Sequence, residues 1–130
     1  MDQKFIQKRV ADLNQELASY QEAVKSAFNV YQTMRTDEDI GGMIQDLAYV
    51  ATYRWQARLA GKELELLESV KSQEDWDKTR KQTRELSAQR HDYHGWFGKA
   101  LHQLTAEYYK KCPKADKKPH EVLGVKVESR

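Results

Sequence analysis

Four histidines and a single cysteine are the side chains here best suited to metal or nucleophilic chemistry. His91 and His94 stand three apart, with Asp92 between them, so on one helix they would point to nearly the same side. Two imidazoles hold a metal only with a third and fourth ligand. Cys112 lies about five helical turns away and is a poor candidate. A polar face or a partner contact suits the pair better, and no metal is expected. Bundle di-iron sites need Glu-x-x-His pairs on facing helices. The residues three before His91, His94, His102 and His120 are Ala88, His91, Lys99 and Lys117, so that pattern is missing. His120-Glu121-Val122-Leu123-Gly124 opens like a zinc-protease helix but carries glycine where the second ligand belongs.

Phosphate and acyl chemistry fare no better. Gly61-Lys62 and Gly98-Lys99 lack the upstream glycine and following hydroxyl of a phosphate loop, and no G-x-S-x-G occurs. The expectation is a non-catalytic protein without a cofactor.

Binding chemistry is better represented. Between Lys78 and Lys118 stand eleven basic residues against Glu85, Asp92, Glu107 and Asp116. Arg80 and Arg84 share a helix face, with Lys81 beside them. Tyr93, Trp96, Tyr108 and Tyr109 are interleaved with this charge, as stacking on single-stranded nucleic acid requires. Aromatic residues at helical spacing are more often core, however, and no zinc finger, recognition helix or RNA-binding sheet motif is evident. The candidate contacts for nucleic acid or an acidic protein are Lys78, Arg80, Lys81, Arg84, Arg90, Lys110, Lys111, Lys114, Lys117 and Lys118.

The elements that must position these side chains follow from composition and periodicity. The chain has 130 residues, 39% apolar and 32% charged, with two prolines and six glycines. That much charge implies a high ratio of surface to core, which long packed helices provide and strand-rich folds do not. Residues 1–72 hold nine basic and eleven acidic side chains, whereas 73–130 hold thirteen and nine, so the second part is the better match for an anionic ligand. One cysteine permits no internal disulfide. Met1-Asp2-Gln3-Lys4 shows no apolar signal core, and no apolar run approaches the ~18–20 residues of a membrane span. A cytoplasmic protein that makes no use of a membrane is expected.

Ile6, Val10, Leu13, Leu17, Tyr20, Val24, Ala27, Tyr31 and Met34 recur in alternating steps of four and three, a heptad seam that only a helix aligns. The seam either packs inside its own chain or meets its copy in a homodimer. Thr36 reads as the cap of a second helix, with Asp39 at the reciprocal position of a capping box. The inner face of that helix is Ile40, Ile44, Leu47, Ala51, Trp55 and Leu59, and Gly61 is a candidate break. Ser72 to Asp75 repeat the capping chemistry and open a third helix, with a kink expected near Gly95 and Gly98. Its limit is Cys112, since Pro113 restricts the residue before it. The fold class is therefore all-α, an antiparallel bundle of three long helices, with Val10, Leu13, Leu17, Val24, Leu47, Trp55, Leu101 and Leu104 in the core.

Residues 1–112 form the bundle in this reading, and 113–130 a basic, extended C-terminal arm. Leu123, Val125 and Val127 alternate with polar residues as a strand does, and an unpaired strand needs a partner for its backbone. Those three residues are the candidate docking arm. The function expected is a helical interaction module (adaptor, assembly factor or inhibitor) that binds another protein. The alternative is a nucleic-acid-binding accessory subunit using the basic 78–118 surface. Small basic bundles also suit phage or mobile-element proteins, by an analogy of style alone.

Overall fold

Asp2 begins the first helix, its carboxylate accepting the Phe5 amide at 3.0 Å, which satisfies one of the donors a helix start leaves open. Helix α1 (Gln3–Gln32) then runs unbroken through the heptad seam. The computed structural model describes residues 2–33 and 39–125, so Met34 and Thr36 lie outside the described residues. Among those residues 85% are helical and none is in a strand. Helix α2 (Ile40–Glu68) is capped by Asp39 itself, whose Oδ1 accepts the Gly42 amide at 2.7 Å. A Cβ on Gly42 would overlap that carboxylate, so glycine in the first turn serves the cap. The expected break at Gly61 does not occur. Gly61 sits inside a continuous α2, where the neighbouring turns hold the backbone helical.

Helix α3 (Gln73–Arg90) starts as expected: Ser72 Oγ accepts the Asp75 amide at 3.2 Å, and Asp75 Oδ2 accepts the Lys71 amide at 2.9 Å. The long third helix then divides, with α4 spanning Tyr93–Lys111. The interruption falls at His91-Asp92 rather than near Gly95 and Gly98, which lie within α4. Its cause is visible at Arg90, whose carbonyl accepts from Gln56 Nε2 at 3.0 Å instead of continuing the helical ladder.

The described chain forms two compact units, Met1–Gln21 with Arg54–Asp92, and Glu22–Tyr53 with Tyr93–Arg130. In the first, Leu13, Ala60, Leu67 and Trp76 make a buried cluster, flanked by Ile6, Val10, Leu17, Tyr20, Leu64 and Val70. In the second, Ala27, Phe28, Tyr31, Met43, Leu47 and Val50 form one cluster, with Val24 against it. Ile44, Tyr108 and Cys112 form another. The described seam side chains thus find partners within the chain. Of the expected core, Leu13 and Leu47 are fully buried, while Val10, Leu17, Val24, Trp55, Leu101 and Leu104 are half-buried. Ala51 is exposed.

The extended C-terminal arm is not what forms over 113–125. Pro119–Leu123 is a short helix, α5, closed by Gly124 in the left-handed conformation (φ 69°) that glycine adopts without strain. Tyr108 donates its hydroxyl to the Lys117 carbonyl at 2.5 Å, and the Tyr31 hydroxyl accepts the His120 amide at 2.9 Å. Leu123 and Val125 pack against the Tyr31 cluster. Their alternation therefore reflects a helix end and cap rather than a strand, and Val127 lies outside the described residues.

Candidate functional site

In the first unit the start of α1, the last turns of α2 and most of the length of α3 line a groove of about 640 Å³. Phe5, Leu67, Trp76 and Ala88 supply its apolar wall, and Arg80 and Arg84 its cationic edge. Phe5 is 51% exposed, yet its ring lies 6.0 Å from that of Trp76 in a tilted contact. A large apolar side chain left this open beside a groove is more informative than scattered surface leucines. Arg80 and Arg84 are exposed and have no ion-pair partner among the described residues, so both guanidinium forks are available to a carboxylate or phosphate.

The floor of the groove is polar and internally satisfied. Arg9 Nε donates to Glu63 Oε2 at 2.9 Å, and one terminal nitrogen reaches Glu63 Oε1 and Ser87 Oγ, each at 3.3 Å. Burial opposes the charge on Arg9. The hydrogen bond and charge of Glu63, with Glu16 and Asp12, outweigh it and raise the Arg9 pKa further. Arg90 lies beside this pair, fully buried, donating to Glu16 at 2.6 Å and to the Tyr20 hydroxyl at 2.9 Å, with Glu63 at 3.8 Å.

The sequence-derived candidates separate accordingly. Arg90 is a buried structural cation and leaves the set of surface contacts, because Glu16, 74 positions earlier, and its neighbour Glu63 hold it inside. Lys78 is exposed and pairs with Glu74 one turn earlier at 3.3 Å, and Lys81 is exposed. Lys110, Lys111, Lys114, Lys117 and Lys118 are all exposed and belong to the second unit, where Lys111 pairs with Glu107 at 2.8 Å. His91 and His94 fall in different elements. His91 caps α3, its Nδ1 2.7 Å from the Ser87 carbonyl, and His94 meets the Tyr93 ring edge-on within α4. Among the described residues no three of His, Cys, Asp and Glu stand together as metal ligands.

Periodicity and motifs do not single out Phe5, Arg9, Glu63 or Ser87 as site residues. Phe5 precedes the seam residue Ile6 and could have been noticed as an apolar residue off the stripe. Arg9 and Glu63 are 54 residues apart in the chain, and nothing local marks them as partners. No described helix is long and apolar enough to cross a membrane. No family model matches the chain, and neither a curated protein nor a solved structure matches it significantly.

Proposed function

We propose that this chain is a non-catalytic helical interaction module whose first unit holds an acidic, apolar-faced helical segment of another protein. The observation that carries this is the half-exposed Phe5 ring packed on the buried Trp76, beside Arg80 and Arg84, which have no ion-pair partner among the described residues. An amphipathic helix laid in such a groove would bury one or two large apolar side chains on Phe5, Trp76 and Leu67. Carboxylates one turn away would meet Arg80 and Arg84 in bidentate geometry. An adaptor, an assembly factor and an inhibitor all work by such capture, and phage or mobile-element proteins of this size remain the analogy of choice. A cytoplasmic setting accords with the free, buried Cys112.

The test is selection of displayed helical peptides on the whole protein, with Arg80→Glu/Arg84→Glu as counter-target. Enriched peptides should combine apolar residues at i and i+4 with acidic neighbours and lose affinity for the variant. Peptides that bind both proteins equally would sink the groove reading. A second reading rests on the five exposed lysines between 110 and 118. If they serve nucleic acid, oligonucleotide binding must weaken steeply between low and moderate salt, and neutralising them must reduce the slope.

A further inference from the structure

The second unit holds a smaller cavity of about 280 Å³ whose chemistry is opposite to that of the groove. Residues 46, 49 and 53 fall on one face of α2 by their spacing, and residues 23, 26 and 30 on one face of α1. Together they line the cavity with Asp46, Tyr49 and Tyr53 on one side and Ala23, Ser26 and Val30 on the other. Asp46 is only 9% exposed, and its Oδ2 is buried with no hydrogen-bond partner among the described residues. Burial first, and the charge of Asp39 second, push its carboxyl above the ordinary carboxylate value. A buried carboxylate of this kind lacks the cation or donors that normally accompany it.

The aromatic wall is held in place from behind. Tyr49 and Tyr53 lie nearly parallel, ring centres 6.3 Å apart, and Tyr49 stacks on Phe97 at 4.5 Å. Tyr53 packs on Tyr93, ring centres 6.1 Å apart in a tilted contact. Fixed ring faces carry negative potential and attract cations, organic ones above all. A hard metal ion would want several oxygen ligands, where this cavity offers one carboxylate, and an anion would be repelled. The volume lies just below the range of about 300–1,000 Å³ typical of drug-sized ligands, which suits a short aliphatic cation.

We propose that this cavity is a receptor for an alkylammonium group, Asp46 taking its charge and Tyr49 and Tyr53 its methylenes. The same chemistry is presented by a free amine and by the end of a lysine side chain on another protein. None of it depends on the groove reading, since every lining residue belongs to the second unit.

The experiment is a titration of the full chain with n-butylammonium, followed by amide chemical shifts, with n-butanol as the neutral control. Saturable shifts confined to residues 23–30 and 46–53 are expected at millimolar amine, with butanol weaker by at least about tenfold. Asp46→Asn should weaken the amine by a similar factor while keeping the helical spectrum. Ser26→Trp, at an exposed serine, should close the cavity and abolish the shifts. Lysine with both ends blocked separates the sources: if it binds as tightly as butylammonium, a partner's lysine is the natural ligand, and if it does not, a free amine is. Equal binding of butanol, unchanged binding by Asp46→Asn, or no localised shifts with either amine would overturn the assignment.

Discussion

Glu63→Leu should cost this protein a large part of its stability, and the reason lies in what it leaves behind. The Glu63 side chain is 3% exposed and faces both Arg9 and Arg90. Arg9 is 22% exposed and can turn its guanidinium to water. Arg90 is 0% exposed and cannot. It would keep Glu16 and Tyr20 on one terminal nitrogen, while Nε and the other terminal nitrogen already lack hydrogen-bond partners. Removing one member of a buried ion pair typically costs about 3–5 kcal/mol, because the other charge stays uncompensated. With Glu16 still in place, about 3 kcal/mol is the expected loss, or roughly a hundredfold in the folded-to-unfolded ratio. With a urea m value of about 2 kcal/mol/M, the midpoint should fall by about 1.5 M. The companion is Glu63→Leu/Arg90→Leu, which removes both charges. Replacing a buried pair by apolar side chains is often neutral or stabilising, so the double variant should recover most of the loss. Urea unfolding followed by circular dichroism measures both. A loss under about 1 kcal/mol for the single variant, or a double variant no better than the single, would refute the reasoning.

Four further outcomes are expected. Gly61→Ala should stabilise by up to about 1 kcal/mol, since a Cβ there meets nothing within 4 Å, and thermal melting reads it directly. Ser72→Ala should lose about 1 kcal/mol by removing the α3 cap. Asp46 holds its proton to higher pH than the unfolded chain does, so it lowers stability as pH rises above the ordinary value of 3.8. Urea midpoints of Asp46→Asn and the parent should therefore be closest near pH 3 and favour the variant at pH 7. Burial, reinforced by Cys112, pushes the Tyr108 phenol up to about 12. Its native-state proton is lost late, so stability should fall between pH 10 and 12. Tyr108→Phe should flatten that fall, at a neutral-pH cost of about 0.5–1.5 kcal/mol for the hydrogen bond to Lys117.

Periodicity made the helices legible and left their exceptions hidden. The seam of α1 and the Ser72 cap depend on neighbours within a few residues, and both form as their spacing implies. The division at His91-Asp92 is only partly local: His91 caps the helix on the Ser87 carbonyl, while Gln56, 34 positions earlier, takes the Arg90 carbonyl. The same holds for the C-terminal segment: Leu123-Gly124-Val125 alternates like a strand, and only Tyr31, 89 residues before His120, reveals why a helix with a glycine cap forms instead. Arg90 looked like one more surface cation among lysines, because a charge list carries no information on burial. Arg80 and Arg84 were found by their spacing, but the aromatic and apolar wall that makes them a site was not.

The groove and the buried charges are physically continuous, and this decides which substitutions can inform on function. Arg9 and Glu63 line the groove and also bear on Arg90. Any change to them alters the packing beneath Trp76 before it alters a partner contact, so a lost interaction would be ambiguous between unfolding and recognition. Arg80 and Arg84 carry no such second role among the described residues. Their replacement removes charge from the edge while α3 keeps its cap and its buried Trp76 and Thr83. A polar floor in which Arg9, Glu63 and Ser87 already bond one another also means that the apolar wall is backed before anything binds. Less side-chain freedom is then lost on association, which favours affinity from a small interface. Binding in such a groove should consequently be governed by how well the partner's apolar residues fill it, with the two arginines setting orientation and the rate of encounter.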